Sequence, residues 1–148
     1  MREYKFRGIS IEPLVGDDQW VHGLGVHVVE LTDGGKEYWL YTANGTYQVD
    51  PESVGQYTGV HDDTDEQEEL YDGDIAELEY DWHKHTCKVQ YCGSGYMFVA
   101  DTLPDGYLWF SEFIDFDRRY CWAEGTRKLG NIYDHKHLLN LPGEVDHE

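Results

Sequence analysis

Short runs in which large apolar residues alternate with polar ones recur along this chain, and they constrain its fold more than any other feature. In "REYKFRG", Tyr4 and Phe6 alternate with charged residues, which is the two-residue period of a half-buried strand. The same kind of run returns at residues 75–80, just after a Gly-Asp break. A further strand is predicted at residues 96–99, where apolar residues follow a Gly-Ser-Gly turn. These runs predict a chain in which β-strands dominate.

The segment "QWVHGLGVHVVEL" predicts a strand through residues 20–31, with Gly23 and Gly25 as bulges or points of close approach. The turn "TDGGKE" then leads into "YWLYTA", so residues 26–43 predict a hairpin. The Asn-Gly pair at 44–45 is typical of a type I′ turn, because both central residues of that turn need positive φ.

The Gly-Asp strand and the meander after it predict a small, strongly bent, barrel-like sheet of antiparallel strands with short helical turns. "YLWFSEFIDF" fits either a short helix or an edge element. Ile132 and Tyr133 predict a short strand, and Asp134 is placed to cap a helical turn that carries residues 138–139. We therefore predict the mainly β class and a single domain over residues 1–148.

The formal net charge of −19 is the most unusual bulk property of the chain. A nucleic-acid binder neutralises phosphates with Lys and Arg, so we expect no direct binding to nucleic acid. A charge of this sign can serve solubility alone. The alternative is an acidic surface that docks a basic partner or imitates nucleic acid.

Apolar runs in this chain stay well short of the ~18 residues that a membrane helix needs. The N-terminal residues also lack the apolar core of a signal peptide, so we expect a cytoplasmic protein that does not bind membranes. The cysteines Cys87, Cys92 and Cys121 form no even disulfide framework, which predicts free thiols.

The acidic run "HDDTDEQEELYDGD" resembles a calcium loop in composition only. That loop needs a glycine at its sixth position, and counting from Asp63 the sixth residue is Glu68. We interpret the run as a solvated loop.

Catalytic motifs are lacking, because no serine lies in a Gly-x-Ser-x-Gly elbow and no glycine-rich phosphate loop occurs. We expect no catalytic residues and no cofactor. The best metal candidate is "HKHTC", where His83, His85 and Cys87 fall at alternate positions and Cys92 follows as a fourth soft ligand. Zinc suits such ligands, but only one paired module is visible, so the preferred interpretation is exposed histidines beside a buried cysteine.

Five blocks of the chain resemble the successive motifs of the YopX family: "MREYKFRG", "QWVHG", "VDPESVGQYTGVHD", "LYDGDI" and "LGNIYDHKHLL". The resemblance covers nearly the whole chain and implies a largely β domain of bacteriophage or prophage origin, with no established biochemical function. The family's loop before "LYDGD" usually has an Asn-Gly turn, and "DTDEQEE" has no glycine. The motif residues, structural or binding, are Trp20, Pro51, Gly55, Gln56, Tyr57, Thr58, Gly59, Gly73, Asp74, Gly130, Asn131, Ile132 and Tyr133.

The stretch "SVGQYTGVHD" shows no ordinary helix or strand pattern, so we interpret it as a structural crossover. Asp50 before Pro51 is held extended, and "PES" is expected to make one turn. Gly55 and Gly59 permit φ values that other residues avoid. The functional alternative is a loop that recognises a ligand.

We expect a phage or prophage accessory protein without enzymatic activity, which binds a protein partner or assembles with itself. A β domain rich in edges, Tyr and Trp predicts a homo-oligomer. The alternatives are a DNA-mimicking inhibitor of a host nucleic-acid enzyme and a metal-binding protein.

Overall fold

The computed structural model describes residues 5–93, 95–112, 114–116 and 121–139 of the 148-residue chain. The chain divides into two compact units, Met1–Tyr57 and Thr58–Glu148. One domain over the whole chain stays a prediction. Tyr4, the first residue of the predicted N-terminal alternation, lies outside the described residues.

The first unit consists of short antiparallel strands. Its elements are β1 Phe6–Ile9, β2 Trp20–Gly23, β3 Gly25–Glu30, β4 Lys36–Thr42, β5 Gly45–Val49, the 3-10 turn η1 Pro51–Ser53 and the start of β6 Gly55–His61. β1 pairs with β2 on one side and with Gly55 and Gln56 on the other. β3, β4 and β5 form a separate antiparallel sheet in that order.

A small core holds the first unit together. Val21, Leu40 and Val49 are buried, each projecting from the inward face of its strand. The partly buried residues packed against them are Phe6, Leu14, Val26, Tyr38, Tyr47 and Val54.

The predicted hairpin at residues 26–43 is confirmed as β3 and β4. Two details differ from the prediction. The run from Trp20 to Leu31 is two strands with a break at Leu24, rather than one strand. The β4–β5 turn has Ala43 and Asn44 at its centre, because Thr42 pairs with Gly45, and of the predicted pair Gly45 alone has positive φ.

The second unit is dominated by an antiparallel sheet in the order β11-β10-β9-β8-β14. After the end of β6, its elements are β7 Glu69–Tyr71, β8 Asp74–Tyr80, β9 His83–Cys92, β10 Gly95–Val99, β11 Tyr107–Trp109, η2 Phe110–Glu112, β12 Ile114–Phe116, β13 Cys121–Ala123, β14 Thr126–Asn131 and η3 Lys136–Leu139. β12 and β13 form a hairpin, and β7 pairs with β6. The ambiguous segment "YLWFSEFIDF" supplies the short edge strand β11, a single 3-10 turn and β12.

The core of the second unit lies on one face of this sheet. Its buried members are Val60, Leu70, Ala76, Leu78, Cys87, Val89, Tyr96, Phe98, Leu103, Leu108, Phe110 and Ala123. Phe98 and Phe110 stack with their ring centroids 4.4 Å apart. Large aromatic residues thus supply much of the area that this unit buries.

The mainly β class is confirmed, and the helical segments among the described residues are three 3-10 turns. The predicted barrel-like closure is not found, because the end strands β11 and β14 of the five-stranded sheet do not pair in the described part of the chain. Of the helical segments described, none is long and apolar enough to cross a membrane.

The prediction of a crossover without repetitive structure at residues 53–62 was wrong, because residues 55–61 form β6. The end of β6 pairs in parallel with β13, with Val60 opposite Cys121. This pair differs from the predicted antiparallel arrangement, which holds for the other pairs whose direction is given. A parallel partner needs a long connection and therefore leaves no local turn signal.

The predicted strand at Ile132 and Tyr133 was also wrong. β14 ends at Asn131, and Ile132, Tyr133 and Asp134 form a turn before η3. The Asn131 side chain accepts hydrogen bonds from the amides of Tyr133 and Asp134, which draws these residues out of the sheet.

Candidate functional site

Motif residues of the first unit pack around β1. The Arg7 guanidinium is buried and lies 4.7 Å from the centre of the Trp20 ring. On the other side of β1, the Tyr57 amide donates to the Lys5 carbonyl, and the Lys5 ammonium lies 5.3 Å from the centre of the Tyr57 ring. Cation–π contacts of this kind stabilise more when the cation is withdrawn from water. Trp20 and Tyr57 therefore hold β2 and β6 against β1.

Pro51 begins the turn η1, as predicted for "PES". The Asp50 side chain accepts a hydrogen bond from the Glu52 amide, at 3.1 Å. The Ser53 hydroxyl donates to the Asp50 carbonyl and accepts from the Ile9 amide, each at 2.7 Å. These bonds satisfy the backbone groups of the turn and join it to β1, so the role of Pro51 is structural.

The remaining motif residues of this block lie along β6. Gly59 adopts φ 86, which side chains rarely tolerate, and Gly55 lies opposite Arg7 of β1. The Thr58 hydroxyl accepts a hydrogen bond from the Val60 amide at 3.1 Å. Gln56 lies opposite Phe6 of β1. The backbone of these residues pairs with neighbouring strands, whereas the backbone of a recognition loop would be free of such pairing.

Two motif blocks that are distant in sequence meet in the second unit. Asn131 lies opposite Asp74 on paired strands, and the Ile132 amide donates to the Gly73 carbonyl at 2.8 Å. Gly73 adopts φ 93 in the turn before β8. Sequence motifs alone did not predict this pairing.

Asp74 is completely buried and forms an ion pair. One carboxylate oxygen accepts a hydrogen bond from the Tyr71 amide at 2.7 Å and lies 3.2 Å from the Lys128 ammonium. Lys128 also donates to the Glu69 carbonyl at 2.9 Å, and its ammonium lies 5.7 Å from the centre of the Tyr71 ring. The charged groups neutralise each other inside the unit, so the pair supports structure rather than chemistry.

The "GNIYDH" block forms a turn built on side-chain hydrogen bonds. The Asn131 side-chain oxygen accepts from the amides of Tyr133 and Asp134, each at 2.9 Å. The His135 Nδ1 accepts from the Asn131 amide at 3.2 Å. A Cβ at Gly130 would collide with the His135 ring, so only glycine permits this approach.

The acidic loop is held together by Asp62, which the interpretation as a solvated loop missed. Asp62 is 1% exposed, and its carboxylate accepts from the amides of Glu68 and Lys128 at 3.0 and 2.9 Å. It also accepts from the amide and hydroxyl of Thr64, at 3.3 and 2.7 Å. Gln67 takes φ 50, a conformation that glycine usually provides. Hydrogen bonds to Asp62 therefore hold residues 63–69, "DTDEQEE", in place although this stretch has no glycine.

The metal candidates His83, His85 and Cys87 share one face of β9, as their alternation predicts. Cys92 lies on the opposite face, because it is an odd number of positions along the strand from Cys87. His85 is buried and its Nδ1 lies 2.7 Å from the Thr102 hydroxyl, so the interpretation that both histidines are exposed was wrong. The four candidates do not converge on one point.

Burial raises the pKa of the Cys87 thiol from 9.0 to about 12. A thiol must lose its proton to bind zinc, so this one is a poor ligand at neutral pH. Cys87 and Cys92 are both free, as predicted. Among the described residues, no group of three His, Cys, Asp or Glu is arranged to hold a metal ion.

Trp82 stands out at the tip of the β8–β9 hairpin. It is 92% exposed and adopts φ 67, next to Asp81 with φ 54. Because Tyr80 pairs with His83, these two residues form a two-residue turn in which positive φ favours Asn and Gly. A large aromatic residue in this turn is both strained and exposed, and strained residues concentrate at functional sites, which makes Trp82 a candidate for binding.

We expect Trp82→Gly to raise the free energy of unfolding by about 1 kcal/mol, because glycine removes the cost of the left-handed conformation. Urea unfolding measures this change. The matched variant Trp82→Ala removes the side chain but keeps the backbone cost, so we expect it to stay within about 0.5 kcal/mol of the original chain. Equal stability of the two variants would contradict the interpretation of strain.

A second exposed surface is the outer side of β3, which we call the β3 edge. Within the sheet β3-β4-β5, β3 pairs on one side with β4. Its outer side has no hydrogen-bond partner among the described residues. Val28 is 41% exposed there, and Leu24 and Leu31 are exposed at either end.

The sequence motifs did not predict the roles of Asp62, Lys128 and Trp82. Asp62 and Thr64 stand two apart, which is the spacing at which a side chain caps a local turn, so this signal was present in the sequence. Lys128 carried no comparable signal, because its partner Asp74 is far away in sequence. For Trp82, the strand pattern on both sides indicated a hairpin tip, but not the positive φ.

Comparison of the chain with protein-family models, with curated proteins and with solved structures finds no match to any of them. Membership of the YopX family therefore stays a prediction from the five sequence blocks.

Proposed function

We propose that this chain is a phage or prophage accessory protein of the bacterial cytoplasm that acts by binding a protein partner or another copy of itself, without catalysis. The observation that carries the proposal is the number of large apolar side chains left exposed on an otherwise acidic protein. Among the described residues they are Ile11, Val15, Leu24, Val28, Leu31, Tyr41, Trp82, Tyr91, Tyr107 and Tyr133.

Scattered exposed apolar residues are common, but in this chain several coincide with features that suit binding. Trp82 lies at a strained hairpin tip, and Val28 lies on the β3 edge, which has no pairing strand within the part of the chain that the structure describes. Tryptophan is among the residues that contribute most to protein interfaces. The buried ion pair of Asp74 and the turn at Asn131 stabilise the second unit, which carries Trp82.

A pull-down from bacterial lysate tests this proposal, with bound proteins eluted first at low and then at high salt and identified by mass. We expect a partner that resists high salt, because contacts between apolar side chains are not screened. Recovery of added tagged chain by untagged bait would show self-assembly and would also support the proposal.

One outcome favours the other class of function. A basic nucleic-acid enzyme that is retained at low salt and released at high salt would replace the proposal with a DNA-mimicking inhibitor, because exposed charge pairs are screened by salt. Capture of neither a partner nor the chain itself would contradict the proposal.

A further inference from the structure

The direction of the backbone groups along β3 follows from its pairing with β4. The Leu31 amide donates to the Gly35 carbonyl at 2.8 Å, and the register continues without interruption from Gly25 to Glu30. In an antiparallel pair, successive residues point their backbone groups alternately toward and away from the partner. The amides and carbonyls of Val26, Val28 and Glu30 therefore point away from β4, along the β3 edge.

Proteins usually protect such an edge. Common devices are lysine, proline, a bulge, a very short strand or a covering segment. β3 has six residues, contains neither lysine nor proline, and keeps a regular register. Two other end strands have hydrogen-bond partners along their outer sides: the β14 amide of Lys128 donates to Asp62, and the Gln48 carbonyl of β5 accepts from Ile11.

We propose that the β3 edge pairs with the β3 edge of a second copy of this chain, in antiparallel register centred on Val28. In this register Val28 lies opposite Val28 of the second copy, and Val26 lies opposite Glu30. All three outward residues of each copy then exchange both backbone hydrogen bonds with a partner. The two three-stranded sheets become one sheet of six strands.

Charge supports a second copy as the partner and also selects the register. β3 has one residue that is charged at neutral pH, Glu30, although the whole chain contains 30 acidic residues. The β3 edge is therefore a nearly neutral strip on an acidic protein. With Val28 at the centre, the two Glu30 residues are separated by four residues along the strands, or about 14 Å. A shift of the centre to Glu30 would place like charges directly opposite each other, which destabilises the pair.

Side chains fit the same arrangement. Val28 lies opposite Tyr38 of β4, on the sheet face that also carries the core residue Leu40. Pairing would set the two exposed Val28 side chains against each other and cover both. β-branched residues are well suited to such cross-strand pairs.

This inference rests on the proposed function and specifies its self-assembling form. Analytical ultracentrifugation tests it on the full chain over a range of protein and salt concentrations. We expect the mass to rise with concentration from 17.3 kDa toward twice that value. Because both copies are strongly acidic, salt should screen their repulsion and strengthen the dimer, whereas a complex with a basic partner weakens.

Two variants of Val28 test whether the dimer forms through the β3 edge. Val28→Pro removes an amide that β4 does not use, and Val28→Lys keeps the amide but adds a charge at the centre of the interface. We expect either one to raise Kd by more than about tenfold, because two hydrogen bonds or the central contact are lost. Val15→Lys is the matched control, since Val15 is fully exposed outside the sheet, and it should leave Kd within about twofold.

A covalent probe tests the register. In a chain with Cys92 and Cys121 replaced by serine, we expect Val28→Cys to form a disulfide dimer under mild oxidation, because paired Cα atoms lie about 5.5 Å apart. Val15→Cys should not form one. A dimer that withstands both edge variants would overturn the inference but leave self-assembly standing. A chain that is monomeric throughout would also overturn it, and binding to another protein would then be decided by the pull-down.

Discussion

Asp62→Ala is expected to lower the free energy of unfolding by about 3 to 4 kcal/mol. The buried carboxylate accepts hydrogen bonds from three amides and one hydroxyl. Alanine leaves these donors without their acceptor and detaches the acidic loop from Lys128 of β14. Urea unfolding measures the loss, and a Glu-specific protease should cut the loop faster in the variant.

Asp65→Ala is the matched control, because it removes an equal charge from an exposed position in the same loop. We expect it to change stability by less than about 0.5 kcal/mol. Asp62→Asn should fall between the two: it keeps one acceptor oxygen but turns a donor toward the Lys128 amide. If Asp62→Ala matched Asp65→Ala, the carboxylate would not organise the loop.

Lys128→Met is expected to lower the free energy of unfolding by about 3 kcal/mol, because it breaks a buried ion pair from one side. Asp74 has no exposed side-chain surface, and Lys128 is 21% exposed, so water replaces the lost ammonium poorly. Methionine matches the length of the lysine chain, which limits the change to the charge and its hydrogen bond to Glu69. Urea unfolding followed by circular dichroism measures the difference.

A double-mutant cycle isolates the pair. We expect Asp74→Asn together with Lys128→Met to cost about 1 to 3 kcal/mol less than the sum of the single changes, because the double variant no longer buries an unneutralised charge. Lys84→Met is the control for the substitution itself, since Lys84 is 70% exposed and lies 3.9 Å from Glu77. It should cost less than about 0.5 kcal/mol. Additive single changes would contradict coupling between Asp74 and Lys128.

These two substitutions should leave self-association unchanged at temperatures where the chain stays folded. Asp62 and Lys128 belong to the second unit, and the β3 edge belongs to the first. If a variant of the β3 edge loses binding but still unfolds cooperatively, the loss is then caused by the change at the binding surface and not by damage to the scaffold.

Local pattern predicted a large part of the strands. The alternation at residues 75–80, the apolar run at residues 96–99 after a Gly-Ser-Gly turn, and the turn before "YWLYTA" needed no information from distant residues. β8, β10 and the β3–β4 hairpin are confirmed. The reason is that the two-residue period and the turn residues both act over a few neighbours.

The same local signals failed where contacts with other residues determine whether a segment forms a strand or a turn. Residues 55–61 carry two glycines and no clear alternation, yet they form β6 because β1 and β13 supply backbone partners from far along the chain. Asn131 draws Ile132 and Tyr133 into a turn, although both residues favour strands.

The sequence by itself determined that this chain is acidic and built mainly of strands, and it located the turns that separate most of them, because charge, period and turn chemistry are properties of neighbouring residues. The tertiary structure alone decided which of the described acidic residues are buried: Asp62 and Asp74 are withdrawn from water because Lys128 of β14 brings its amide to Asp62 and its ammonium to Asp74. It also decided that β3 keeps one side unpaired within the described residues. Burial of a charge and exposure of an edge depend on long-range strand pairing, which no single stretch of sequence encodes.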